Sequence, residues 1–440
     1  MPDSVQKTRL ARIGAEAAWV AAGQLLAFLG GFATIKILTG ELGAAAYGQL
    51  ALGISAAGAV HMFVYGPIEQ IALRFVSVYR ERGRLHLLFA ALRRLHMHAA
   101  AIVGLAIIVV TSVLYAFAGT AWAWGILILL ALLFGVGGGV SMTLASLLSA
   151  FRQRASVAFF QASDVWLRLL LAVAGLAWLG TSADAALAGF CLATATIAIV
   201  QLAWVMRNPL VRPHLHGHSA SATGTEGSTM GELVAYGRPY LVWAAFAWCS
   251  TYCDRWLILG YLDERSVGIY AALLQIANAP IAIFLGMVNQ FLVPLIFDRA
   301  GAATTQGQIR SSAALLNAAT AAYVLGLTVI VGFAALVAEP LVRLLTSSEF
   351  SRHADLLWVI CLGLSLSSTA QLLVIKGLSH GRPQQYVLPK FVQLALLIAS
   401  MFLLVQPMAL MGVAVSLCIS GAGYLIMVAW VNSRLVAHAF

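Results

Sequence analysis

The chain contains a series of uninterrupted apolar runs, each about 20 residues long, which is the length that a helix needs to cross a bilayer core of roughly 30 Å. Bilayer-spanning strands occur only in closed barrels and are much shorter than these runs. The runs therefore predict an all-α polytopic membrane protein with about twelve transmembrane helices. The predicted helices lie near residues 15–38, 46–72, 95–118, 122–150, 157–180, 184–206, 238–260, 266–297, 312–337, 354–378, 385–405 and 409–433.

The distribution of charge argues for a membrane rather than a nucleic-acid partner. Only 10% of the residues are charged, against about 25% in an ordinary soluble protein, so the net charge of +10 comes from a few basic segments. Most Lys and Arg fall in alternate connections between the predicted helices, with the most basic stretch at 74–98. This is the positive-inside pattern, which predicts that both termini are cytoplasmic.

One stretch of the sequence occurs twice. The segment 42–76 returns as 262–296, at an offset of 220 residues. Each copy has a short turn, a long apolar helix, and an amide or acid near the end of that helix. The matched positions include Leu42 with Leu262, Gly48 with Gly268, Gly66 with Gly286 and Gln70 with Gln290.

The repeat predicts two pseudo-symmetric six-helix bundles. We assign residues 1–206 to an N-terminal lobe, 207–237 to a cytoplasmic linker and 238–440 to a C-terminal lobe. The linker is the longest connection and is rich in Ser, Thr, Gly and His. A duplicated unit with proline-interrupted helices is typical of transporters, whose substrates bind between the repeats.

Ionisable residues inside the predicted helices are the candidate site residues, because a charge in a membrane is costly and usually functional. The alternative is that they form structural ion pairs or that the lysines extend to the interface. We assign one set to a translocation cavity and a second set to a gate near the cytoplasmic side. The cavity set is Lys36, Asp164, Arg168, Asp254, Arg255 and Lys376, and the gate set is Glu69, Gln70, Asn289 and Gln290.

The charges in the helices favour an anionic cargo. With Lys390 included there are five cations, against the three acids Glu69, Asp164 and Asp254. Such a surplus suits a phosphate or diphosphate. We also predict that Lys36 and Asp254 form an outer gate.

The sequence gives no sign of catalysis, of a cofactor or of a metal site. It lacks a phosphate-binding Gly-rich loop, so the driving force is expected to be an H⁺ or Na⁺ gradient, the membrane potential or consumption of the product. His214, His216 and His218 lie in the linker and are expected to bind no metal. A membrane-embedded polymerase or ligase needs a large outer loop with catalytic residues, whereas the longest outer loop here, 338–353, is short.

The sequence resembles a known family in three segments: ILTGELGAAAYGQLALG, FVYGPIEQIALRFVS and DRWLILGYLDERSVGIYAA. It is similar to the flippases of lipid-linked oligosaccharides, which share a superfamily with the multidrug and toxic-compound exporters and the lipid II flippase. The resemblance implies a V-shaped, exporter-type fold with a central, often cationic cavity. It supports Asp254 and Arg255 most directly, because these residues open the third segment.

The resemblance also implies a function and a place. The expected function is movement of undecaprenyl-diphosphate-linked oligosaccharide across a bacterial cytoplasmic (inner) membrane, by alternating access, for O-antigen (lipopolysaccharide), capsule or exopolysaccharide synthesis. The expected partners are that lipid-linked substrate, the bilayer and polysaccharide polymerase or co-polymerase proteins, with no nucleic acid. A cation-coupled multidrug exporter and a membrane polymerase or ligase remain as alternatives. The exporters typically carry an acid in the first helix, where this chain has Lys36.

Overall fold

A computed structural model describes residues 2–116, 121–209, 211–212, 223–300, 306–379 and 383–437. These residues form helices and no strand, which confirms the predicted all-α class. In chain order the helices are α1 (Pro2–Ala59), a π-helix (Val60–Tyr65), α2 (Gly66–Glu81), α3 (Leu85–Ala116), α4 (Ala121–Ala150), α5 (Arg154–Leu179) and α6 (Ala183–Arg207). They are followed by α7 (Thr223–Tyr261), α8 (Glu264–Ala300), α9 (Gln306–Leu345), the short α10 (Ser348–Ser351), α11 (Leu356–Ser379), a 3-10 helix (Pro383–Tyr386) and α12 (Val387–Ala437).

Two of the helices each contain two predicted helices. In α1 the chain bends at Gly43, whose φ of 68° and ψ of 177° favour glycine, between the predicted helices 15–38 and 46–72. In α12 the bend is at Ala409, with φ 48° and ψ −131°, between the predicted helices 385–405 and 409–433. A Cβ on Gly412 would lie 2.1 Å from the backbone oxygen of Leu404, as expected where a helix turns back on itself.

Within the described ranges, nine helices are long and apolar enough to cross a membrane, so the chain is a multi-pass membrane protein. The predicted helix 238–260 is formed as part of α7, but α7 is not among the nine. The cause is its composition, because Asp254, Arg255 and several Trp and Tyr residues lower its mean hydropathy.

The chain divides into two compact units. Unit 1 contains residues 1–42 and 49–248, and unit 2 contains residues 43–48 and 249–440. The boundary therefore lies inside α7, beyond the predicted linker 207–237. Residues 223–237 of that linker are helical, whereas 210 and 213–222, including His214, His216 and His218, lie outside the described residues.

The core of unit 1 forms where α4 packs against the π-helix and α2. A Cβ on Gly139 would lie 2.2 Å from Cγ of Tyr65, and a Cβ on Gly135 would lie 2.6 Å from Cβ of Val60. Because these glycines have no side chain, α4 can pack closely against the neighbouring segment, as small residues allow between helices in a membrane. Tyr65 is 1% exposed as a result.

In unit 2 the segment 43–48 packs against α8 and α10. The Glu349 carboxylate accepts a hydrogen bond from the backbone N–H of Ala44 (2.9 Å) and forms an ion pair with Arg265 (2.9 Å). Gly48 and Gly268, matched in the sequence repeat, lie against each other's helices. A Cβ on Gly48 would be 1.9 Å from the backbone oxygen of Glu264, and one on Gly268 would be 1.9 Å from that of Ala44.

Asp263 caps the start of α8. Its Oδ1 accepts a hydrogen bond from the backbone N–H of Ser266 (2.7 Å). This bond stabilises the carboxylate and lowers the pKa of Asp263 below its ordinary value. A negative side chain here also suits the positive end of the helix dipole.

Candidate functional site

Asp164 and Arg168 form an ion pair on one face of α5, as their spacing predicts. Nε of Arg168 donates to the hydroxyl of Thr194 on α6 (3.0 Å), and that hydroxyl donates to Oδ1 of Asp164 (3.3 Å). The guanidinium also lies over the ring of Phe134 on α4, 4.8 Å from its centroid. The pair thus links three helices of unit 1. It stabilises their packing, and it is also a candidate for contact with an anionic substrate.

Asp254 and Arg255 lie next to each other on α7 and interact directly. Oδ1 of Asp254 lies 3.2 Å from Nη1 of Arg255, which also donates to the backbone oxygen of Thr251 (2.6 Å). Oδ2 of Asp254 accepts a hydrogen bond from the hydroxyl of Tyr270 on α8 (2.6 Å). Asp254 is only 4% exposed, so its charge is desolvated and these two partners compensate for it.

Lys376 lies near the end of α11, beside α12. Its Nζ donates to the backbone oxygen of Asn432 (3.2 Å), and the side chain of Asn432 accepts a hydrogen bond from the Tyr386 hydroxyl. Lys390, in the first turns of α12, donates to Oε1 of Gln393 (2.9 Å) and lies 4.8 Å from the ring centroid of Tyr424. Both lysines contact the region where α11, the 3-10 helix and α12 meet.

Glu69 is near the start of α2 and contacts a residue that the sequence analysis did not select. Its Oε1 lies 2.6 Å from Nε2 of His61, which is in the π-helix. The side chain of Glu69 is 16% exposed and that of His61 is 31% exposed. The signal for His61 was present in the sequence, because histidine is also an ionisable residue inside a predicted transmembrane helix.

The remaining predicted residues lie on α1, α2 and α8. Lys36 is exposed on α1 in unit 1, and the outer gate predicted between it and Asp254 stays a prediction. Gln70 is half-buried on α2, and Asn289 is exposed on α8. The side chain of Gln290 lies outside the described part of the chain.

Thr194 and Tyr270 are the other partners that sequence reasoning missed. Both are fully buried, at 0% exposure, and each binds a carboxylate on a neighbouring helix. Nothing in their local sequence marks them, because their role depends on which helix packs beside them. Across the described residues, no group of three or more His, Cys, Asp or Glu side chains is placed to hold a metal ion.

The sequence matches one family model, that of the polysaccharide biosynthesis proteins, over residues 13–300. A comparison with curated proteins found no match.

Several solved structures share the fold. The lipid II flippase MurJ, in an inward closed conformation, is 12% identical with a TM-score of 0.66, and the match covers 97% of this chain and 91% of that one. A multidrug resistance transporter of the MATE family, inward-facing, is 13% identical with a TM-score of 0.63 over 96% and 95% of the two chains. A point mutant of the MATE transporter VcmN from Vibrio cholerae is 13% identical with a TM-score of 0.61 over 97% and 98%. At these identities the likeness establishes the exporter-type fold, and the proteins that share it are a flippase and transporters rather than enzymes.

Proposed function

Because this chain belongs to the polysaccharide biosynthesis protein family, we propose that it is a flippase of lipid-linked oligosaccharides. Its substrate would be an undecaprenyl-diphosphate-linked unit, moved from the cytoplasmic to the periplasmic leaflet by alternating access. The product would serve O-antigen, capsule or exopolysaccharide synthesis. The observation that carries the proposal is the family match over residues 13–300, in a chain whose fold is shared by a lipid II flippase.

The polar groups of the helices are compatible with a diphosphate. Arg168 and Arg255 are each held by a carboxylate on their own helix, which fixes the guanidinium but uses only part of its five N–H donors. Lys390 makes its hydrogen bond to a neutral amide and rests on an aromatic ring. A cation placed in this way keeps a net positive charge that suits an anionic headgroup.

The acidic side chains of Asp164 and Asp254 already have partners, whereas a cation exporter requires an acid that can bind its cation. Asp164 is paired with Arg168, and Asp254 with Arg255 and Tyr270. A bound drug cation would have to replace these partners, at the cost of leaving an arginine without its counter-charge. The cation-coupled multidrug exporter is nevertheless the second candidate, because the MATE transporters share the fold at TM-scores of 0.63 and 0.61.

The proposed location is the bacterial inner membrane, with both termini on the cytoplasmic side. The concentration of Lys and Arg in alternate connections supports this orientation. In the described structure Arg80, Arg84, Arg93 and Arg94 lie near the connection between α2 and α3 and are exposed. Such residues would meet the anionic headgroups of the cytoplasmic leaflet.

The direct test is reconstitution of the purified protein in vesicles that contain a fluorescent undecaprenyl-diphosphate oligosaccharide. Flipping is followed as loss of access to an added membrane-impermeant quencher. We expect protein-dependent flipping, and a reduction of roughly tenfold or more in Lys390→Met, the loss expected when one charge-assisted hydrogen bond to the diphosphate is removed.

The matched control is Arg343→Gln, since the Arg343 side chain is 68% exposed and pairs with Glu339 on its own helix. It should flip the lipid at the wild-type rate. Vesicles that flip no lipid but take up cationic drugs in exchange for protons or sodium ions would contradict the proposal and favour the exporter. Equal flipping by wild-type protein and Lys390→Met would remove Lys390 from the site.

A further inference from the structure

The helix that carries Glu69 is distorted just before it. Residues Val60–Tyr65 form a π-helix, in which the N–H of Gly66 donates to the backbone oxygen of His61. Pro67 follows immediately and has no N–H to donate to the preceding turn, and its ring crowds the carbonyl four residues earlier. The proline accounts for the extra residue in the turn, and single π-turns of this kind are frequent at functional sites.

This distortion brings two ionisable side chains together. In an unbroken α-helix, residues eight positions apart are separated by about 12 Å along the axis. Nε2 of His61 and Oε1 of Glu69 are nevertheless 2.6 Å apart. The contact therefore depends on the π-turn that separates the two residues, so the π-turn and the contact stabilise each other.

The elements packed around this pair contribute little other charge. From α3, His96 faces Tyr65 with ring centroids 5.8 Å apart, but its Nδ1 is bound to the backbone oxygen of Leu92 at 2.8 Å. The α4 sequence 121–150 contains no titratable residue. The side chains of Arg93, Arg94 and His98 on α3 are exposed.

The end of α7 that packs on α2 has its own partners. Glu232 accepts hydrogen bonds from the Tyr79 hydroxyl (2.8 Å) and from Arg82 (3.3 Å). The hydroxyls of Tyr236 and Tyr240 contact each other at 3.1 Å. Arg74, on α2, and Arg238, on α7, are exposed. Among the described residues, the immediate ionisable neighbour of Glu69 is therefore His61.

A pair of this kind has three protonation states. An imidazolium with a carboxylate is neutral overall, and this state is the least costly inside a membrane. A second proton, placed on the Glu69 carboxylate, leaves one positive charge and ends the ionic attraction. Removal of the imidazolium proton leaves one negative charge. Each change of state alters the energy of the contact, and so the stability of the π-turn that the contact requires.

We propose that His61 and Glu69 form a proton-binding site, and that proton binding there determines whether the π-turn between α1 and α2 is kept. In one orientation of the transporter a proton from the adjacent aqueous phase binds the Glu69 carboxylate and releases His61. In the other orientation that proton leaves and the pair closes again. The coupling part rests on the proposed flippase function, whereas the proton site is independent of it.

The test of the site is NMR of ¹⁵N-labelled histidine in the full-length protein in lipid nanodiscs. The resonances of His61, one of ten histidines, are identified by their absence in His61→Gln. In Glu69→Gln, which keeps the size of the side chain, the Nε2 resonance of His61 should move, because an amide replaces the carboxylate that lies 2.6 Å from this atom. The control His96→Gln removes the neighbouring ring but no carboxylate, and it should leave the Nε2 resonance of His61 in place. An unchanged Nε2 resonance in Glu69→Gln would overturn the proton site.

The test of coupling uses the lipid-flipping vesicles with a pH difference imposed across the membrane. The imposed gradient should accelerate flipping by wild-type protein severalfold but should not accelerate it in Glu69→Gln. Equal acceleration of both proteins, or of neither, would overturn the coupling. If wild-type protein flips no lipid at all while the Nε2 resonance of His61 still moves in Glu69→Gln, the flippase proposal fails and the proton site stands.

Discussion

Arg168 shows how an intramembrane charge can be part of the fold and still be available to a ligand. Its guanidinium contacts Asp164, Thr194 and the ring of Phe134, yet its side chain remains 29% exposed. A residue with this many contacts cannot be tested by a single substitution, because removing one partner leaves the other charged and unpaired.

We therefore predict different results for single and double substitutions of this pair. Asp164→Ala should lower the free energy of unfolding by roughly 3 kcal/mol, because Arg168 then keeps its charge without a counter-ion. Asp164→Ala combined with Arg168→Leu should recover most of that loss. The free energies of unfolding of both variants are measured with purified protein in mixed micelles, as the fraction of denaturing detergent is increased. Additive losses in the double variant would show that the two side chains do not interact in the folded protein.

For single residues, the sequence could predict contacts within one helix but not the partners that other helices supply. The spacing of Asp164 and Arg168 predicted that they share a helix face, whereas Asp254 was expected to face Lys36 and its contact with Arg255 was not predicted. Tyr270 and Thr194 could not be predicted, because a partner on another helix depends on how the helices pack and not on local spacing. His61 could have been predicted, since the reasoning applied to Lys, Arg, Asp and Glu inside helices applies to histidine as well.

At the scale of single elements, the bend of α1 at Gly43 depends on Glu349. The bend interrupts the helix and leaves the N–H of Ala44 for a new partner, and the Glu349 carboxylate supplies it while pairing with Arg265. Glu349, in the loop 338–353 that is predicted to be an outer loop, thus has a structural role. A polymerase or ligase would use such an acid in its chemistry.

Glu349→Ala is predicted to destabilise the protein by about 1–2 kcal/mol, the cost of losing a helix cap, without abolishing transport. The comparison variant is Glu339→Ala, whose side chain is 66% exposed and pairs with Arg343 one turn away, and which should cost well under about 1 kcal/mol. Thermal unfolding and flipping in vesicles measure the two effects. Complete loss of polysaccharide synthesis in Glu349→Ala with unchanged thermal stability would instead favour a catalytic role.

A second prediction at the scale of single elements concerns Gly48 and Gly268, the two glycines that are matched in the sequence repeat. Because an added Cβ at Gly48 or Gly268 would lie 1.9 Å from a backbone oxygen, either substitution to Ala forces two helices apart. We expect a loss of about 3 kcal/mol or more in each variant. Gly260, also in a helix, has nothing within 4 Å of its added Cβ, so Gly260→Ala should be neutral or stabilising. If all three variants unfold at the same temperature, the close crossing of segment 43–48 and α8 is wrong.

At the scale of the whole molecule, most of the helical architecture followed from the sequence. Over the residues that the structure describes, each predicted transmembrane segment falls mainly in a helix, because a bilayer requires long apolar helices and the turns between them are short. The ends were less predictable: α3 begins at Leu85 and α7 at Thr223, since helices that continue beyond the bilayer lose their apolar pattern. The boundary between the units, inside α7, was not predicted, because no change in composition marks it.

The fold alone does not distinguish a flippase from an exporter, whereas the family match favours a flippase. The chain belongs to the polysaccharide biosynthesis protein family, and its fold is shared by a lipid II flippase and by multidrug transporters. The cargo distinguishes the two functions, and a flippase is recognised by the side of the membrane on which its lipid-linked cargo accumulates when the protein is absent.

The most direct measurement is the leaflet distribution of lipid-linked oligosaccharide in a strain that lacks this protein, together with its surface polysaccharide. We predict that the polysaccharide is lost and that undecaprenyl-diphosphate oligosaccharide accumulates in the cytoplasmic leaflet, with both restored by the intact gene. Accumulation of complete units in the periplasmic leaflet would contradict a flippase and indicate a polymerase or ligase. Normal polysaccharide with increased sensitivity to cationic drugs would contradict it in favour of an exporter.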